Sequence, residues 1–154
     1  MSVQIVFIDS RVPGIQELLE GLKPGEQAFV VDVNSDGLSQ IASILQANQL
    51  SGLSAISIVG HGASGEIDLG STAIDDANLS SEAAALSVIG ASLAPGGDLA
   101  LYACDTAAGA AGQKFIADFS AYAGGVDVVA AARASVARGA RKVRAGGLGS
   151  PSGQ

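Results

Sequence analysis

Two reactive residue types occur once each in this chain, His61 and Cys104, and together they suit nucleophilic chemistry. A thiol with a reference pKa of about 8.5 is only a few per cent ionised at neutral pH. An imidazole within hydrogen-bond reach accepts its proton or holds the thiolate as an ion pair. His61 stands in "SAISIVGHGASGEIDLG", residues 54–70, between two glycines and just beyond an apolar, β-branched run; Cys104 closes "DLALYAC". If these two runs are neighbouring parallel strands, about 4.8 Å apart, imidazole and thiol leave the sheet at one carboxyl edge, where ligands collect in open α/β folds. Gly62 allows its backbone N–H to approach a substrate oxygen, and the N–H of Cys104 is a second donor, which makes an oxyanion hole. Two blander readings of the same spacing stay open: a histidine that bonds its own loop, and a small cysteine packed in a core.

Other motifs lead to weaker chemistry. "GHGASG" has the form of a dinucleotide fingerprint, but the glycines run into the strand-like "EIDLGSTAID" instead of opening a helix. Ser64 lacks the Gly-x-Ser-x-Gly elbow of a serine hydrolase. "DVNSDG" is half of a calcium loop: Asp32, Asn34, Asp36 and Gly37 alternate correctly, yet Ser43 occupies the place of the closing bidentate glutamate. Asp36 is then expected to cap a helix beginning near Leu38. A single cysteine excludes an internal disulfide and a thiolate-rich zinc site. Neither a metal nor a cofactor is expected.

The elements that must position His61 and Cys104 follow from periodicity. Apolar β-rich runs at 4–9, 27–32, 54–59, 98–103 and 126–131 alternate with segments of helical period around 14–22, 38–48, 81–93 and 109–123, the pattern of a parallel sheet wound with helices. After the third strand the alternation of "SGEIDLGSTAID" predicts a short hairpin. With 154 residues, almost half of them hydrophobic and very few aromatic, the chain reads as one domain with an Ala, Val, Ile and Leu core.

Charge separates this body from a tail. Fifteen acidic and three basic residues lie at or before Asp127, a balance of −12, and five basic residues with no acid follow. The acidic body is unsuited to a nucleic-acid backbone. Residues 1–132 are read as the folded domain and 133–154, basic and ending in Gly, Ser and Pro, as a disordered extension. There is no apolar run long enough for membrane insertion and no secretory signal at the start, so the chain reads as soluble.

The segments "VFIDSRVPGIQELLEGLKPG", "DVNSDGLSQIASIL", "ISIVGHGASGEIDLGSTAID" and "LALYACDTAAGAAGQKFIADFSAYAGGVDVVAA" resemble the bacterial DUF4347 family over roughly residues 4–132. That family occurs near the N-terminal side of very long adhesin-like secreted proteins, and it is similar to the caspase and gingipain class of cysteine peptidases. The resemblance implies a three-layer α/β sandwich, its sheet mainly parallel with helices on both faces. In that class a histidine followed by glycine ends one strand and a cysteine preceded by a small residue ends the next; His61-Gly62 and Ala103-Cys104 match these positions. This chain departs from the family in carrying Asp105 after the cysteine, where an amide is usual. A carboxylate there raises the thiol pKa. It also lacks tryptophan.

The resulting expectation is a cysteine peptidase with a His61 and Cys104 dyad and oxyanion donors from Gly62 and Cys104. It would act on peptide or protein, including its own chain within a large exported protein, and reach the surface by a signal-independent route. Asp9, Asp32 and Asp105, all at strand ends, are candidate substrate-pocket carboxylates favouring a basic residue before the scissile bond, with Arg138, Arg141 and Arg144 as candidate internal targets. The alternatives are a non-catalytic folding or interaction module of the same fold and a small-ligand module of flavodoxin-like shape. The oligomeric state stays open.

Overall fold

The computed structural model describes residues 3–103, 106–131 and 143–144. Its chain order is β1 (Gln4–Asp9), α1 (Ile15–Glu20), β2 (Glu26–Val31), α2 (Gly37–Ala47), β3 (Leu53–Val59), β4 (His61–Ala63), β5 (Glu66–Leu69) and β6 (Thr72–Asp75). A 3₁₀ turn (Leu79–Glu82) then leads into α3 (Ala83–Ala91), β7 (Leu93–Tyr102), α4 (Gly109–Tyr122), β8 (Asp127–Ala131) and β9 (Val143–Arg144). The main sheet has the order β2-β1-β3-β7-β8-β9. Its first five strands are parallel, and β9 joins β8 antiparallel. The protein is therefore mixed α/β, with a main sheet of six strands among the described residues, five of them parallel. The tail expected to be disordered lies outside the described residues apart from Val143–Arg144.

Strand alternation sorts the core into two clusters. Ile5 and Phe7 of β1 belong to the larger one, with Ile56 and Ile58 of β3, Leu99 and Leu101 of β7, and Val128 of β8. Helix α2 contributes Leu38, Ile41 and Leu45, and α4 contributes Phe115, Ile116 and Phe119. Both are one apolar face at helical spacing. Phe7 also stacks on its cross-strand partner Phe29, with centroids 5.7 Å apart. Val6, Ile8, Val59, Ala100 and Tyr102 point the other way, into the smaller cluster, where Ile15 and Leu18 of α1 pack. Among the described residues no helix is long and apolar enough to cross a membrane.

The hairpin expected after the third strand is a three-stranded antiparallel sheet, β4-β5-β6, and it begins at His61 itself. Expected helix 81–93 is shorter at both ends: residues up to Glu82 form the 3₁₀ turn, and β7 starts at Leu93, five residues before the apolar run that signals it. Pro95, Gly96 and Gly97 sit inside that strand and break its periodicity, which is why the early part was not legible.

Candidate functional site

The register brings together the two strand ends that sequence singles out. Val59 of β3 is the partner of Tyr102 of β7, and the Gly60 N–H donates to the Tyr102 carbonyl at 3.0 Å. His61 and Ala103 follow directly at the same edge. Cys104 and Asp105 lie outside the described residues, but both flanks of that pair are held. The Gly65 N–H donates to the Thr106 carbonyl at 2.9 Å, Thr106 Oγ1 donates to the Glu66 carbonyl at 2.9 Å, and Ser64 Oγ donates to the Ala108 carbonyl at 2.6 Å. The chain after 104–105 is thus pinned to the β4–β5 hairpin, and the chain before it is held to the end of β3 through the Gly60–Tyr102 bond.

Gly62 is what permits this approach. A Cβ there would stand 2.5 Å from Thr106 Oγ1, 2.8 Å from the Glu66 carbonyl and 2.9 Å from Ala103 Cβ. Its smallness therefore has a packing cause, in addition to the oxyanion role expected from sequence.

His61 is half-buried on β4, and its Nε2 lies 3.3 Å from the backbone carbonyl of Arg11. A carbonyl can only accept, so Nε2 carries the proton in this contact. In the neutral ring Nδ1 then holds the lone pair, and it is the nitrogen able to take a proton. Arg11 is the partner that sequence reasoning missed: a main-chain carbonyl fifty residues away carries no residue-type signal.

The Arg11 turn is built around Asp9. The side chain of Asp9, at the end of β1, is fully buried, whereas that of Arg11 is 45% exposed. Arg11 Nε donates to Asp9 Oδ1 and Arg11 Nη2 to Asp9 Oδ2, each at 2.9 Å; Nη2 also reaches the Gly70 carbonyl at 2.8 Å. The Gly70 N–H returns a bond to Asp9 Oδ2 at 2.7 Å. Burial pushes the Asp9 carboxyl up, but the Arg11 and Gly70 hydrogen bonds and the Arg11 charge outweigh it and hold the group below its ordinary value. The structure thus places the pocket candidate Asp9 inside an ion pair.

Asp32 is exposed at the far side of the sheet, beyond β2, with Oδ1 accepting the Asn34 N–H at 2.9 Å. Asp36 caps α2, as its place before Leu38 suggests, accepting the Ser39 N–H at 3.0 Å and Ser39 Oγ at 2.8 Å. No group of three or more His, Cys, Asp or Glu among the described residues is arranged to hold a metal ion.

The hairpin adds acids that share a face with His61. Asp68 is its cross-strand partner, Glu66 lies two residues before Asp68, and Asp75 is the partner of Glu66. The opposite face carries Ile67, Leu69 and Ile74, all fully buried. Contact with Asp68 raises the Glu66 carboxyl above its ordinary value, with burial and the charges of Asp68 and Asp75 adding to the effect. The alternation in "EIDL" and "TAID" announces this face, but assigning His61 to it needs the register of β4.

The sequence profile of DUF4347, described as a domain of unknown function, matches residues 5–141. The chain belongs to the DUF4347 family. No curated protein and no solved structure matches it. Family membership accordingly leaves the chemistry to be argued from the site.

Proposed function

We propose that this DUF4347 domain is a cysteine peptidase of caspase-like architecture, with helices on both faces of its sheet, and that His61 and Cys104 form its dyad. The observation that carries the reading is the packing of Ala103 and Thr106, which bracket Cys104, against Gly62, the neighbour of His61. In the reaction the Cys104 thiol gives its proton to His61 Nδ1, and Sγ attacks the scissile carbonyl carbon. The carbonyl electron pair moves onto oxygen, where the N–H groups of Gly62 and Cys104 receive it. Collapse breaks the C–N bond, the amine leaves with the proton from the imidazolium, and a thioester remains. Water then gives a proton to His61 and its oxygen to the acyl carbon, and the thiolate leaves and is reprotonated.

The substrate is a peptide or protein segment, the domain's own long exported chain included. The test is the rate at which a peptidyl acyloxymethyl ketone modifies Cys104. We expect modification faster than that of free cysteine and slowed on the order of 100-fold in His61→Ala. A Cys104 no more reactive than free cysteine, and indifferent to His61→Ala, would leave the fold serving as a non-catalytic interaction module.

A further inference from the structure

We infer that Asp9 and Arg11 are positioning residues: through the Arg11 carbonyl they hold the His61 ring in the orientation and tautomer that a proton-accepting base requires. The inference deepens the His61 and Cys104 reading and takes its catalytic meaning from it.

The turn at the end of β1 is closed twice. The Val12 N–H donates to the Asp9 carbonyl at 3.0 Å, and the Arg11 N–H donates to Asp9 Oδ1 at 2.9 Å. Main chain and side chain of one residue therefore close the same turn, and this fixes the Arg11 peptide whose carbonyl meets His61. The guanidinium fork then locks the carboxylate from the other side with two further bonds. Such a bidentate pair constrains angle as well as distance, which a single point charge does not.

The same pair fixes a second coordinate. The Gly70 N–H donates to Asp9, and the Gly70 carbonyl accepts from Arg11. Gly70 directly follows β5, the strand that pairs with β4 through His61 and Asp68. One ion pair thus holds both the acceptor of the imidazole N–H and the end of the strand that carries the imidazole's cross-strand partner. The 3.3 Å separation of Nε2 and the Arg11 carbonyl lies at the long limit of a hydrogen bond, so a small displacement of the turn breaks it. Burying a carboxylate carries a desolvation cost that an apolar residue would avoid, and orientation is what the ion pair returns.

The chain has one histidine, so a long-range proton–nitrogen NMR spectrum of the ¹⁵N-labelled protein reads His61 alone. In its neutral ring the wild type should show a single Nε2–H tautomer. Arg11→Gln, at a half-exposed side chain, and Asp9→Asn should each show a mixture of tautomers. Cys104 modification by the peptidyl ketone should fall on the order of 10-fold in both, the scale of a small misplacement of a reacting group. The surface variant Lys114→Gln should match wild type. Should Asp9→Asn fail to fold, Arg11→Gln decides. A folded Arg11→Gln protein with the wild-type imidazole spectrum overturns the inference, even if His61→Ala still slows Cys104. A tautomer mixture in Arg11→Gln, combined with a Cys104 indifferent to His61→Ala, supports the clamp and removes the dyad instead.

Discussion

Gly70 is gripped from two sides, and the two grips bury carboxylates in opposite ways. On one side Asp9 meets a cation: Arg11 and the Gly70 N–H compensate the charge, and the carboxyl stays ionised below its ordinary value. On the other side Asp36 bridges Gly70 through the main chain, and Glu82, at the end of the 3₁₀ turn, brings it a second carboxyl instead of a cation. Glu82 is 7% exposed. Burial, the hydrogen bond to Asp36 and its charge push Glu82 up to about 7. Asp36 Oδ1 is buried without a conventional hydrogen-bond partner among the described residues, and a protonated Glu82 would offer the Asp36 carboxylate a donor. The first grip depends on a counter-charge and the second on a shared proton, so only the second weakens as solution turns from acid to neutral.

The variant that breaks both grips has the largest expected effect. In Gly70→Ala the added Cβ would overlap the Ser35 carbonyl and stand 2.7 Å from the Gly37 nitrogen, at a φ of +61° that side chains disfavour. We expect a loss of about 4 kcal/mol in unfolding free energy by chemical denaturation. Removing only the cation-compensated grip comes next. Asp9→Ala leaves the Gly70 N–H without its acceptor and Arg11 without its carboxylate. The expected cost is about 3 kcal/mol at pH 7, the low end for a broken buried pair because Arg11 can turn to water.

The proton-sharing grip gives a change no larger than that of Asp9→Ala, and of the opposite sign. Folded Glu82 keeps its proton up to about pH 7, and the unfolded chain only to about 4.5. Its contribution is full below about 4.5 and is lost as pH rises through about 7. Asp9 and Asp36, with folded values below 3.8, contribute stability above that value that is lost as pH falls through their folded values. Glu82→Gln, which keeps a donor facing Asp36, should therefore match wild type near pH 4.5 and exceed it by about 3 kcal/mol at pH 8, since each tenfold difference in proton affinity between folded and unfolded chain is worth about 1.4 kcal/mol. Denaturation midpoints across pH 4.5–8 measure this directly, and a wild type whose stability stays level over that range would contradict the shared proton.

Much of the scaffold was legible because its signals are local. The run 4–9 coincides with β1, the helix 38–48 is one residue out at each end and 109–123 only at its C-terminal end, and the Asp36 cap stands where its residue type and the following apolar period put it. The adjacency of β3 and β7, on which the dyad idea depends, also stands. The pocket carboxylates were less legible. Asp9 ends β1 as expected and Asp32 lies one residue past β2, but such a position does not reveal whether a carboxylate faces solvent or a guanidinium two residues on. Helix 81–93 was overextended because "SSE" continues a helical period while its backbone bonds close a tighter turn.

Sequence by itself determined the repeating strand and helix pattern, the acid-rich body, the placement of His61 after an apolar strand and the alternating apolar face of the hairpin. Each of these is set within a few residues by periodicity and turn chemistry. Tertiary structure alone decided that the Arg11 carbonyl meets His61, that Gly70 closes on Asp9 across sixty-one positions, and that Glu82 answers Asp36. These contacts join segments distant along the chain, and two of them run through backbone atoms that every residue type shares. They exist only once strand register and crossover order have been chosen, and that choice is made by the burial of the whole core, not by the residues that meet.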